Sequence, residues 1–365
     1  MSTASRQQIA DQSGQWLAQV ALPLWRDRGF NARTGQFEEA LDAQAGPVQA
    51  PRRSRVQARQ IFVFAEAERR GLCEGAGACA WAAWRQYLSH FAAEADLFVF
   101  SITEDGGAAD SGVRLYEQAF ALFAMAALVR LDPDAQTVRR QARRTLQKLD
   151  GFRHGAGGFR ELGSDPFQSN AQMHLFEAAM AWSSLDPDGP WTGLADEIAD
   201  LAMSRLIDAE HGFIREHFTA DWRPAPAPEG EEISPGHQFE WSWLLGQYAK
   251  PRGLDLSPIT DQLWRAGLRG VDPSRAVAVN ALSSDLSHRD SQARLWPQTE
   301  WLKAALTIGD EVEIARAGAA LSRYLKGVQP GLWRDTLNPD GTWVEEPSPA
   351  SSLYHIAGAI FEACT

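Results

Sequence analysis

A period close to 60 residues constrains this chain more than any other property of its sequence. Arg59, Tyr116, His174, His237, Trp296 and His355 are separated by 57, 58, 63, 59 and 59 residues, and each stands near the start of a stretch with helical apolar spacing. Repeats of this length signal supersecondary units that cannot bury their apolar faces alone and must pack on one another. Apolar residues at i, i+3, i+4 and i+7 predict helices over 5–22, 53–70, 77–94, 112–130, 134–150, 169–184, 191–208, 235–249, 256–269, 293–307, 310–326 and 350–363. Sustained period-two alternation is nearly absent. Alternate helices are followed by longer segments with similar openings, namely Gly35-Gln36-Phe37, Asp96-Leu97-Phe98, Gly157-Gly158-Phe159, His211-Gly212-Phe213, Gly331-Leu332-Trp333 and a degenerate Gly270-Val271-Asp272. Six such helix pairs predict an all-α chain, a single (α/α)6 barrel over residues 1–365. The second helix of each pair should form the inner ring, with the longer segments gathered at one mouth. An open solenoid is the alternative, but solenoids rarely place one polar or aromatic residue per repeat at matching depth. The run Pro224-Ala225-Pro226-Ala227-Pro228 interrupts nothing in this rhythm and reads as a mouth loop.

The net charge of −12 argues against nucleic acid and anionic membrane as partners, since both require basic surface. No apolar run is long enough to cross a bilayer, and the polar segment from Met1 to Gln15 lacks the pattern of a signal peptide. Cys73, Cys79 and Cys364 are odd in number and lack CxxC spacing, so neither a disulfide framework nor a zinc site is indicated. A cytoplasmic protein, monomeric or homodimeric, is the expectation.

The chemistry concentrates at the predicted inner helices. Their N-termini present unpaired N–H groups and positive dipole ends, which suit an oxygen-rich or anionic ligand. In Ser234-Pro235-Gly236-His237-Gln238-Phe239-Glu240, Pro and Gly mark a helix start, and His237 and Glu240 lie three residues apart. A carboxylate so placed can take one ring N–H and leave the other nitrogen as a base. The same spacing recurs at His174 and Glu177, and His355 again stands at a helix start. His90, His154, His211, His217 and His288 fall off this register, although His217 and His288 lie in mouth-side segments. His-x-x-Glu pairs also occur in di-iron bundles, in the opposite order and with additional glutamates. Without HExxH or a third and fourth ligand, acid–base work without metal or other cofactor is the better reading. Arg59 in such a barrel would stabilise a developing oxyanion. Arg55, one turn earlier, suits substrate contact or an ion pair with an acid such as Glu38 or Glu39. Tyr116 and Trp296 are stacking or hydroxyl-binding surfaces, and Asn170 is placed to hydrogen-bond a hydroxyl.

The segments Val56-Gln57-Ala58-Arg59-Gln60, Leu115-Tyr116-Glu117-Gln118-Ala119-Phe120, Asn170-Ala171-Gln172-Met173-His174, Pro235-Gly236-His237-Gln238-Phe239-Glu240-Trp241, Trp296-Pro297-Gln298-Thr299-Glu300 and Tyr354-His355 together resemble the N-acylglucosamine 2-epimerase superfamily over nearly the whole chain. The resemblance implies the barrel already argued and metal-free proton transfer at C1 and C2 of a monosaccharide. It implies that Arg59 steadies a cis-enediolate, that His237 and His355 transfer protons, that Glu240 orients His237, and that His174 assists ring opening beside Asn170. Glu300 joins the substrate-binding set with Tyr116, Asn170, Trp296 and Arg55. Trp296-Pro297 replaces the adjacent aromatics associated with 2-epimerases, and Pro349-Ala350-Ser351-Ser352 resembles the mannose-isomerase branch. The expectation is therefore D-mannose to D-fructose isomerisation. The alternatives are a sugar 2-epimerase, a mannose-6-phosphate isomerase with Arg52, Arg53 and Arg55 clamping the phosphate, an inverting glycoside hydrolase on the same barrel, and a non-catalytic sugar-binding protein.

Overall fold

In a computed structural model, which describes residues 6–93, 96–161 and 167–365, each of the twelve predicted stretches is a helix. Residues 5 and 94, at the outer limits of two of those stretches, lie outside the described residues. The helices are α1 (Arg6–Trp16), which runs on through π-wound turns and the short α2 (Leu22–Leu24), then α3 (Ser54–Arg69), α4 (Ala76–His90), α5 (Leu115–Leu131) and α6 (Gln136–Leu149). They continue with α7 (Ser169–Ser183), α8 (Trp191–Leu201), α9 (Pro235–Ala249), α10 (Ser257–Arg269), α11 (Leu295–Ile308), α12 (Glu311–Tyr324) and α13 (Ser351–Ala363).

Burial sorts them into two rings. On α6 the buried residues Val138, Gln141, Ala142, Thr145, Leu146 and Leu149 form one stripe, as expected of a helix facing solvent on its other side. On α5 the apolar residues run all round from Leu115 to Val129, and nearly every one is buried. The amphipathic pattern predicted for every stretch therefore holds for the outer helices but not for α5, which is packed on both sides and has no water-facing stripe. Helices α3, α5, α7, α9, α11 and α13 contact one another in that order, and α13 packs back on α3. The ring closes, and the fold is an (α/α)6 barrel. Among the described residues no helix is long and apolar enough to cross a membrane.

The longer segments hold two- and three-residue antiparallel ladders that periodicity could not reveal, because strands this short carry no alternation to read. Some are local hairpins, such as Phe30↔Phe37. Others tie neighbouring segments together. Arg53 pairs with Ser101, Phe167 with Phe218, Ile233 with Leu282, Ala293 with Leu337, and Ser348 with Leu41. The last of these joins the sixth segment to the first, so the mouth carries a collar of laced loops.

A repeated glutamine fixes five of the six loops to the inner helix that follows. Gln57, Gln118, Gln172, Gln238 and Gln298 each occupy the fourth residue of an inner helix. Each side-chain amide bonds both the N–H and the C=O of one residue in the preceding segment: Phe37, Phe98, Phe159, Ile214 and Ala278, at 2.6–3.1 Å. In the sixth unit the Ser348 hydroxyl serves Trp333 in the same way. The shared glutamine of the sequence segments is thus structural. Removing a partner from buried backbone groups costs about 1–3 kcal/mol for each group left unpaired. Gln298→Ala is accordingly expected to lower the thermal midpoint of unfolding by several degrees; an unchanged midpoint in calorimetry would refute the clamp.

Candidate active site

Because the glutamine clamps hold the first turns in register, the residues two places beyond them fall at one depth. Arg59, Phe120, His174, Glu240 and Glu300 are each two residues past a clamping glutamine. They form a layer across the barrel axis. The Arg59 guanidinium lies 4.2 Å from the Phe120 ring centroid and 5.0 Å from that of Tyr354, and its Nη2 donates to the Tyr116 hydroxyl at 2.8 Å. Phe120 and His174 rings are 4.5 Å apart, and His174 Nδ1 is 3.9 Å from Glu240 Oε1.

Nearer the mouth, Trp296 lies between the other two histidines, with ring centroids 4.8 Å from His237 and 5.7 Å from His355. Gly236 permits that approach: a Cβ there would come 2.5 Å from the Trp296 ring. Each flanking histidine is held by a carboxylate. His355 Nδ1 meets Glu300 Oε1 at 2.8 Å, and His237 Nδ1 meets Glu216 Oε2 at 2.7 Å.

Glu216 corrects the sequence reading, in which Glu240 orients His237. His237 is in the first turn of α9 and reaches back to the loop residue Glu216, whose other oxygen accepts from the Ser234 N–H. Glu240, a turn deeper and buried, faces His174 instead, and neither of its oxygens has a hydrogen-bond partner. No spacing rule links Glu216 to His237 across 21 residues, so the sequence offered no signal for it. Glu300, expected to bind substrate, holds His355. The pair His174–Glu177 forms as predicted, at 3.3 Å, and Tyr354 donates its hydroxyl to the same Glu177 oxygen at 2.6 Å.

Charge is balanced by a group that sequence reasoning missed. Lys303, one turn beyond Glu300, places its ammonium 2.6 Å from Glu300 Oε2. Burial alone would raise the Glu300 carboxyl, yet Lys303 and His355 together hold it down at about 2. Burial pushes His355 down to about 3 and His174 to about 4, against the pull of their glutamates and with the help of Arg59. Both rings are therefore neutral at neutral pH. Glu240 moves the other way: burial, then the charge of Glu300, lifts it well above the usual carboxylate range. The layer thus presents neutral imidazoles beside a carboxyl whose proton is held more tightly than usual. His174, Glu177 and Glu240 also bring three possible metal-ligand atoms within 4.8 Å of one another.

The remaining predicted residues line the mouth. A cavity of about 560 Å³ is bounded by Arg55, Phe100, Arg114, Tyr116, Glu117, Glu161, Gln168 and Asn170. Arg55 pairs with Glu117 at 2.8 Å rather than with Glu38 or Glu39. Those two acids hold Arg52 and Arg53, at 2.8 and 2.7 Å. Among the described residues, Asn170 Oδ1 and one oxygen each of Glu117 and Glu161 are buried without a partner. Among the off-register histidines, His90 bonds Gln86 and His211 bonds Asp208, while His217 Nδ1 has no partner among the described residues.

Known proteins share both the sequence and the architecture. A model of the N-acylglucosamine 2-epimerase (GlcNAc 2-epimerase) family matches residues 35–359. A mannose-6-phosphate isomerase of Rhizobium meliloti (strain 1021) is 43% identical over 95% of this chain and 94% of its own. A D-mannose isomerase of Thermobifida fusca is 27% identical over 72% of each chain. Among solved structures, a D-mannose isomerase superposes with a TM-score of 0.85 over 97% of this chain and 96% of its own, at 17% identity. The cellobiose 2-epimerase of Spirochaeta thermophila DSM 6192 reaches 0.85 over 98% and 96%, at 20% identity. With these matches and a site built on inward-facing histidines, the chain belongs to the N-acylglucosamine 2-epimerase family and is an enzyme of isomerase or epimerase type.

Proposed function

We propose that the protein is a metal-independent aldose–ketose isomerase that interconverts D-mannose and D-fructose through a cis-enediolate. The observation that carries this reading is the pair of carboxylate-held histidines on either side of Trp296. A histidine whose Nδ1–H is engaged by a carboxylate keeps Nε2 as the free base.

In the proposed reaction, His174 and Glu240 attend ring opening. One of His237 and His355 then takes the proton from C2, and the electron pair of that bond moves to form the C1–C2 double bond. The charge passed to O1 is met by the fixed Arg59 guanidinium. Transfer of the O2 hydroxyl proton to O1, followed by return of the carbon-bound proton to C1 with O2 becoming the carbonyl oxygen, yields the ketose; return to the opposite face of C2, with O1 again the carbonyl oxygen, would yield the epimer. Tyr116, Asn170, Trp296 and Arg55 hold hydroxyls. The names of the mannose-6-phosphate isomerase and D-mannose isomerase relatives support a mannose-type substrate.

Charge at the mouth favours the unphosphorylated sugar. Arg52 and Arg53 are already neutralised, and the mouth cavity offers unpartnered acceptors that suit hydroxyl donors better than a dianion. The 43% identity to a mannose-6-phosphate isomerase supports the second reading, in which Arg55 and Arg114, both over the Phe100 ring at 4.9 and 3.9 Å, receive a 6-phosphate. Proton NMR in deuterated water, with EDTA-treated protein, tests both. Fructose bearing deuterium at C1 is expected from mannose at undiminished rate. Glucose deuterated at C2 would make the enzyme an epimerase, turnover only of mannose 6-phosphate would establish the second reading, and loss of activity restored by one divalent metal would refute metal independence.

A further inference from the structure

The reaction outlined above gives no role to Lys303. It is one of four lysines in a chain that otherwise takes its cations from arginine. It is 3% exposed, packed within the ring of inner helices. An ammonium in such a place is costly unless paired. Burial pushes it toward the neutral amine, but the Glu300 carboxylate in contact with it outweighs that and keeps it charged. It also lies 3.6 Å over the Trp243 ring, which fixes the direction of the Nζ group.

Three groups therefore stand in a row. The ammonium holds Glu300 Oε2 at 2.6 Å, and Glu300 Oε1 holds His355 Nδ1 at 2.8 Å. We infer that Lys303 is a positioning residue that acts through Glu300 to keep His355 in the free-base form with its proton on Nδ1. The reason is electrostatic. With a cation on its far oxygen, Glu300 stays ionised in a buried place and accepts the Nδ1–H. The same cation opposes a second positive charge on the imidazole. Without it, His355 would become the nearest counter-ion of a buried carboxylate, and the imidazolium would be favoured. A ring already protonated takes no proton from carbon.

A change at Lys303 leaves Arg59 in place, whereas Glu240 and Glu177, which Lys303 helps to hold down, would rise with Glu300. Of the helices packed on α13, α3 presents Arg59 and α11 presents Glu300, while α1 buries Ile9 and Ala10. His174, Glu177 and Glu240 belong to the same buried network, and Tyr354 precedes His355 on its own helix.

The inference rests on His355 being a base, so its test includes a readout that needs no sugar. The His355 ring is followed by nitrogen-15 NMR across pH in wild type, K303M and K303R, alongside steady-state kinetics. In K303M the ring is expected to titrate at higher pH than in wild type. Its kcat should fall on the order of 100-fold with KM little changed, since the change acts on the base and leaves the proposed sugar-binding side chains in place. K303R, which keeps the charge, should return the titration and most of the turnover. An identical His355 titration in wild type and K303M would overturn the inference, as would a raised KM with kcat intact. If K303M fails to fold by circular dichroism, K303R carries the test: its His355 must titrate as in wild type, and a displaced titration overturns the inference. A wild type that turns over no sugar would sink the isomerase reading alone, because the ring titration is measured without substrate.

Discussion

His355→Ala is expected to lower kcat by roughly a hundred- to ten-thousand-fold, the range that a positioned acid–base group contributes, while circular dichroism remains that of the wild type. The ring is buried, so the change opens space, but α13 keeps Leu353, Ile356 and Ile360 in the core and should hold its place. His237→Ala should fall in the same range. The two differ in a way that can be measured. If the proton travels through both rings, each single variant loses isomerisation, and the one that retains exchange of the C2 proton with solvent identifies the first base. Wild-type rates in a correctly folded His355→Ala protein would remove the histidine pair from the mechanism.

Arg59→Ala is expected to cost on the order of a hundred- to a thousand-fold in kcat, as loss of one preorganised oxyanion donor does. The guanidinium is held by Phe120, Tyr354 and the Tyr116 hydroxyl, so it is fixed before any charge develops. Its loss has a second effect whose sign follows from the site. Arg59 helps to push both His174 and His355 down, so in the alanine variant each ring gains its proton at higher pH. The acid limb of the kcat profile attributable to these rings should move toward neutrality. A profile that keeps its wild-type shape while the rate drops would mean that Arg59 binds substrate without tuning the bases.

Much of this molecule was legible in its sequence, for a specific reason. The repeat is written in helices, and helices announce themselves through apolar spacing over a dozen or more residues. The inner-helix residues Arg59, His174, His237, Trp296 and His355 were therefore found with their elements. What escaped lies where spacing carries no information. Glu216 reaches His237 from a loop whose path is set by the Gln238 clamp, and no periodicity predicts a loop's path. Lys303 is one turn from Glu300, a distance at which a salt bridge on an exposed helix would contribute little. Its importance comes from burial, which the pattern of an inner helix conceals because that helix is apolar on most sides. The error over Glu240 has the same root. Three residues on a helix are neighbours in projection, but the first turn and the second turn of an inner helix look toward different partners.

The laced collar at the mouth, with Ser348 paired to Leu41, has its counterpart where α1 meets α13 and Arg6 Nη2 donates to the Glu362 carbonyl at 3.5 Å. A ring has no first unit. Linear repeat proteins fray from their ends and rely on terminal caps, because each unit rests on two neighbours except the outermost. Here every unit has two neighbours, so loss of one removes support from both sides at once. The point at which such a ring is opened then matters little to folding. A permuted chain, with the old ends joined and new ones opened in an exposed outer turn, would rebuild the same closed set of interfaces.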